Sequence, residues 1–134
     1  MLGQQIGEFS GRTGSQRVLE IDEEPKMEAT VNATGSIKNI EITTTITYWN
    51  IRDPCGNLYG EGKGTLMTKD GEFAASMAKG RGNITEKGEV KWRGSVFYTS
   101  SAIGKLYFLN NMVGVFETDV DSLGNVREKI WEWK

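Results

Sequence analysis

The chain has 134 residues, 37% of them hydrophobic and 25% charged, with a net charge of −2. That is the size and make-up of one globular domain spanning 1–134, large enough to bury a core without covalent staples. The charge balance gives no reason to bind nucleic acid, no long apolar run suggests a membrane span, and the opening MLGQQIGEFSGRTG lacks a basic-then-apolar signal pattern, so the expected location is cytoplasmic.

Missing residue types exclude more than the totals do. There is no histidine, which removes Ser–His and Cys–His nucleophile pairs, His-based zinc sites and the usual proton shuttle near neutral pH. The single cysteine, Cys55, excludes an internal disulfide and a Cys-rich zinc site. No metal or organic cofactor is expected. The 17 glycines against 2 prolines point to turns and bent strands.

Taken in order, the chain shows short runs rich in Val, Ile, Thr and aromatics between Gly, Asn and Asp signals. Gly3–Gly11 and Gln16–Ile21 read as two weak strands, and Asp22–Pro25 as a charged loop. Lys26–Thr34 alternates, with Met27, Ala29, Val31 and Ala33 on one side, before a turn over Gly35–Asn39. Ile40–Ile51 is the strongest strand: Ile42, Thr44, Ile46 and Tyr48 share one face, and Thr43, Thr45, Thr47, Trp49 and Ile51 the other. Leu58–Thr68 and Glu72–Ile84 carry glycines at every second position, Gly60, Gly62 and Gly64 on one and Gly80 and Gly82 on the other, which leaves one face nearly bare. The best helical candidate is a short turn over Ser100–Lys105.

Three later turns share one form. Lys69-Asp70-Gly71, Glu86-Lys87-Gly88 and Ser122-Leu123-Gly124 each fit a three-residue hairpin loop with glycine in the left-handed position. Pairing outward from each sets Glu61 opposite Lys79, Gly62 opposite Ala78, Gly82 opposite Trp92, Asp119 opposite Arg127 and Phe116 opposite Ile130. Opposite charges meet on one face and apolar residues on the other, whereas a two-residue loop would set Glu86 against Glu89. Asp53–Asn57 fits a fourth turn that lays Tyr48 over Gly62 and Asn50 over Gly60. Consecutive hairpins of this kind predict an all-β fold, a closed antiparallel up-and-down barrel of about eight strands, because closure leaves no unpaired edge.

The segments Thr47-Tyr48-Trp49, Leu58-Tyr59-Gly60-Glu61-Gly62, Lys91-Trp92-Arg93-Gly94 and Trp131-Glu132-Trp133-Lys134 resemble a group of small prokaryotic proteins of uncharacterised function, over most of the chain from Gln16 onward. The resemblance implies an allene oxide cyclase-like or lipocalin-like (calycin-like) barrel. The lipocalin Gly-x-Trp signature is absent near the first strand and no cyclase active-site residue maps onto a position here, so no catalytic residue is carried over.

The candidate chemistry is sparse. Gly60-x-Gly62-x-Gly64 lacks the spacing and the following helix of a phosphate cradle. Lys79, Arg81, Lys91 and Arg93 fall on one outer face, partly neutralised by Glu61 and Glu89, and read as a solvated surface in preference to a nucleic-acid patch. Asp119, Asp121 and Asn125 read as turn chemistry, since the calcium-loop spacing is missing. Cys55 has no activating partner.

The inner face carries Ile42, Ile46, Tyr48, Asn50, Leu58, Leu66, Trp92, Val96 and Tyr98 between small residues. It is either a filled core or a site for one small apolar or amphipathic molecule. In the second case Tyr48, Asn50, Trp92 and Tyr98 contact the ligand, and Glu72, if turned inward, is a desolvated proton acceptor. A cyclase or isomerase acting on a reactive hydrophobic substrate, and a filled structural or protein-interaction barrel, are the alternatives. Met67, Phe73 and Met77 on the outer face suggest a homo-oligomer.

Overall fold

The structure, a computed structural model, describes residues 1–100 and 103–134. Its strands are β1 (Leu2–Ile21), β2 (Pro25–Ile37), β3 (Ile40–Arg52), β4 (Asn57–Thr68), β5 (Phe73–Ile84), β6 (Val90–Thr99), β7 (Val113–Val120) and β8 (Asn125–Trp133). Each pairs antiparallel with the next, and β8 pairs with β1, so the fold is a closed eight-stranded up-and-down barrel. Among the described residues no helix is long and apolar enough to cross a membrane.

The hairpin register follows the turn chemistry. Gly71, Gly88 and Gly124 have φ of +88°, +78° and +88°, and Gly56 in the fourth turn has +83°. Glu61 faces Lys79, Gly82 faces Trp92, Asp119 faces Arg127 and Phe116 faces Ile130, while Tyr48 lies opposite Gly62 and Asn50 opposite Gly60. Asp53 and Asp121 each cap their own turn, accepting backbone N–H bonds from Cys55 and Asn57 and from Leu123 and Asn125 at 2.9–3.0 Å. The Asn125 side-chain amide, with these backbone bonds, holds the Asp121 carboxyl below the ordinary carboxylate range, and the Asn57 backbone N–H, helped by the Asn57 amide, does the same for Asp53.

Two boundaries differ from expectation. The two weak N-terminal strands are one strand, β1, with a register shift between Thr13 and Gln16 that bends it without ending it. Gly35 is no turn residue: it lies within β2 opposite Phe9, and the β2–β3 turn is the two-residue Lys38-Asn39, with φ of 48° and 65°. The helical turn expected over Ser100–Lys105 falls partly on residues 101 and 102, outside the described residues; the helical turn of this connection is Tyr107–Asn111.

That connection plugs one end of the barrel. Leu106 and Leu109 are 0% exposed and pack with Ile37, Ile42, Leu66, Tyr98 and Met112. Asn110 pins the segment by donating to the Ser100 carbonyl at 2.8 Å and accepting from the Ser100 N–H at 2.7 Å. On the outer face, Met67, Phe73, Met77 and Phe97 are all more than half exposed in the single chain.

The bare glycine face of β4 lets the strand lie close beneath large side chains. A Cβ on Gly62 would sit 2.9 Å from Tyr48 Cβ. Gly62→Val is therefore expected to destabilise the fold by about 1–3 kcal/mol, read as a lower urea midpoint. Lys63→Val, one residue on and facing outward, should change it by about 0.5 kcal/mol or less. A Gly62→Val variant of unaltered stability would remove the glycine face from this role.

Candidate functional site

Away from the plug, the lumen is open. A cavity of ≈ 90 Å³ lies among the inward side chains of Phe9, Val31, Ile46, Tyr48, Trp92, Phe116, Val120 and Val126, with backbone exposed at Gly60, Gly62 and Gly80. Strand alternation supplies this lining: each of these residues occupies the inner parity of its strand, and the glycines leave the room. One water needs about 10–15 Å³, and a dry cavity of about 150 Å³ can hold benzene. The enclosed space thus suits a few heavy atoms, and a ring-sized molecule would extend toward the mouth.

Tyr48 and Trp92 form one wall. Their ring centroids are 5.8 Å apart at 79°, an edge-to-face pair. Trp92 lies flat over the glycines: added Cβ atoms on Gly60 and Gly82 would each meet its ring at 3.0 Å. Burial pushes the Tyr48 phenol above its ordinary value, so it stays neutral and can donate a hydrogen bond.

Among the described residues, the carboxyl that lines the cavity from an inward position is Glu128, on β8, with Thr118 of β7 directly across the ladder. It is half-buried and borders the cavity. Desolvation raises its pKa from the ordinary 4.5 to about 7, against the opposing effect of a hydrogen bond to the Thr118 side chain. It belongs to no ion pair among the described residues.

The residues singled out from the sequence divide. Tyr48 and Trp92 line the cavity. Asn50 sits one pair closer to the mouth, half-buried beside Gly60 and outside the lining. Tyr98 points inward but lies in the packed half, 7% exposed, with its phenol held protonated by burial and by the charge of Glu128. Glu72 is elsewhere: its carboxylate accepts the Lys105 N–H at 2.8 Å and its own N–H bonds Thr68 Oγ1 at 3.1 Å, tying the β4–β5 hairpin to the plug. The desolvated carboxyl sought at Glu72 is found at Glu128. The pairing that set Phe116 against Ile130 and Asp119 against Arg127 also puts Glu128 on the inner face, which was the available signal.

Among the described residues no cluster of His, Cys, Asp and Glu could hold a metal ion. The basic residues Lys79, Arg81, Lys91 and Arg93 are exposed on the outer face; Lys91 pairs with Asp119 at 3.2 Å and Arg81 lies over the Tyr59 ring at 4.9 Å.

Solved structures share this architecture. A protein of unknown function from Clostridium acetobutylicum ATCC 824 superposes with a TM-score of 0.83 at 11% identity, over 98% of each chain. A conserved protein of unknown function from Rhodopseudomonas palustris gives 0.80 at 13%, over 98% of this chain and 97% of the other. An enzyme from Penicillium herquei gives 0.65 at 15%, over 96% and 92%. At these identities the likeness shows the fold. No family model matches the chain, and no curated protein does.

The raised pKa of Glu128 makes stability pH-dependent. The folded carboxyl holds its proton more tightly than the unfolded one, so folding takes up a proton and stability falls as pH rises from 4.5 to about 7. The loss is on the order of 2–3 kcal/mol. Glu128→Gln is expected to be more stable than the parent above neutrality and to match it near pH 5, as read by urea unfolding at both ends of that window. Parallel curves for the two proteins would show that this carboxyl is not desolvated.

Proposed function

We propose that the protein binds one small apolar or amphipathic molecule inside the barrel, in the manner of lipocalin-like and allene oxide cyclase-like barrels. The observation that carries this reading is the cavity itself, an aromatic-walled space with few polar side chains turned into it, the carboxyl of Glu128 among them. A structural barrel gains nothing from such an arrangement. Filling the lumen with larger side chains would add roughly 1–3 kcal/mol per buried group and would avoid a desolvated carboxyl. Tyr48 and Trp92 form the aromatic wall, with Asn50 beside the mouth.

A second reading, an enzyme of the cyclase or isomerase type, is favoured by the same carboxyl. A group titrating at about 7 can both take and return a proton under ordinary conditions. Glu128 would remove a proton from carbon next to a carbonyl and return it farther along the conjugated system, with the pocket holding the substrate in line.

Benzyl alcohol serves as a probe of the binding reading. Saturable binding with Kd of about 1 mM or tighter, followed by calorimetry or ligand-observed NMR, is expected for the parent. It should be lost in Ala78→Leu, which fills the lumen from β5 while keeping the inner face apolar. Binding that persists in a folded Ala78→Leu protein would place the ligand outside the barrel. The second reading predicts conversion of 3-cyclohexenone to its conjugated isomer, followed by ultraviolet absorbance, with turnover abolished and binding kept in Glu128→Gln.

A further inference from the structure

We propose that the lumen is a site for an organic ammonium ion with an apolar, ring-sized body, the ammonium paired with Glu128 and the body held against Tyr48, Trp92 and Phe116. This rests on the binding reading above and names the class of ligand for it.

The inner face of the cavity carries an imbalance of charge. Among the described residues Glu128 is the single carboxyl lining the cavity from an inward position; Glu61 and Lys79, which also border the cavity, hold outward positions and face each other across the β4–β5 ladder, and the strands on either side of Glu128 bring no inward cation. On β1 its neighbour is Phe9, with Gly7 and Gly11 to either side; on β7 the inward groups are Phe116, Thr118 and Val120; on β8 they are Val126 and Ile130. The titratable groups that share the interior are Tyr48 and Tyr98, both kept neutral by burial. Glu132, on the same side of β8 but toward the plugged end, lies at 4.0 Å from both Lys38 and Lys134. The charged residues next to Glu128 in sequence, Arg127 and Lys129, face outward and pair with Asp119 and Glu117 across the ladder.

A desolvated carboxylate without a counter-charge is costly, and a cation entering the cavity removes that cost at its source. The remaining wall suits the same ligand. Faces of Trp and Tyr attract a cation, by roughly 0.5–2 kcal/mol in desolvated sites, and Phe9, Val31, Ile46 and Phe116 offer only apolar contact to the rest of the molecule. A carboxylate ligand would face repulsion from Glu128. A neutral alcohol would find a hydrogen bond there but no compensation of charge.

Two isosteric probes separate these cases on the intact protein, benzylammonium and benzyl alcohol. At about pH 8, with Glu128 ionised and the amine still protonated, benzylammonium is expected to bind at least about tenfold more tightly than the alcohol. The preference should shrink at about pH 5, where Glu128 is protonated, and disappear in Glu128→Gln. A second measurement needs no variant: near pH 7, calorimetry in buffers of different ionisation heat should show benzylammonium binding releasing about half a proton and alcohol binding releasing almost none. Equal affinity for the two probes, or amine binding without proton release, overturns the proposal while leaving the binding reading intact. Failure of both probes to bind removes the binding reading and this inference with it.

Discussion

Everything in this barrel depends on how closely neighbouring strands and side chains can approach one another, and glycine decides that. A Cβ at Gly35 would lie against the Glu8 carbonyl of β1, one at Gly11 against the Asn32 carbonyl of β2, and one at Gly94 against the Lys79 carbonyl of β5, all far inside van der Waals contact. These positions are where a small barrel coils most sharply, and only a residue without a side chain lets the ladder continue through them. On β4 the same economy works sideways. Gly60, Gly62 and Gly64 leave a bare strip onto which Tyr48, Ile46 and Trp92 fold down. The lumen is therefore shaped by residues that are absent from it, and the aromatic wall of the cavity rests on backbone.

The two ends of the barrel divide the work. Loop residues Leu106, Leu109 and Met112 close one end over Ile37, Ile42 and Leu66. Burial there follows the ordinary rule that apolar area removed from water stabilises the fold. Among the described residues the other end has no such plug. Its inward residues, Ile46, Tyr48, Trp92 and Val120, are only half-buried, and the carboxyl of Glu128 lies between the two halves. Filled core and open pocket, posed as alternatives by the sequence, are both realised, each in its own half.

Much of the register was legible because a hairpin turn constrains everything downstream of it. Once glycine with positive φ is accepted at Gly71, Gly88 and Gly124, alternation carries each pairing the length of the strand, and the Glu61–Lys79 and Asp119–Arg127 matches test it independently. The errors come from the same residue type. Gly35 reads as a chain breaker beside a turn, yet its role is steric: it sits mid-ladder beneath β1. A sequence does not say whether a glycine is present for its φ or for its missing Cβ. Glu72 fails for another reason. Its direction is set by the backbone of Lys105, far along the chain, and no local pattern around residue 72 contains that information. Glu128 was legible by parity and concealed by type, since a charged residue among Arg127, Lys129 and Glu132 reads as part of a solvated face.

That concealment bears on what the barrel is for. Strand parity alone gives a protein an easy way to keep carboxylates in water, and β8 uses it for every charged residue near the cavity except Glu128. The exception stands opposite Thr118, whose hydrogen bond helps the charged form, and among side chains that otherwise give it nothing. A half-buried carboxyl with no counter-charge beside it is the kind of local inconsistency found at sites of function. The plugged end supplies stability that does not depend on the lumen, so the fold can carry this cost. Because the carboxyl titrates at about 7, a modest change in its surroundings is enough to change its charge. A ligand entering the cavity displaces whatever solvent reaches it and brings its own dipole or charge to within contact distance. A cation in the lumen and the ionised form of Glu128 would favour each other, whereas a molecule that contacts both forms of the carboxyl equally well would leave its protonation where it is.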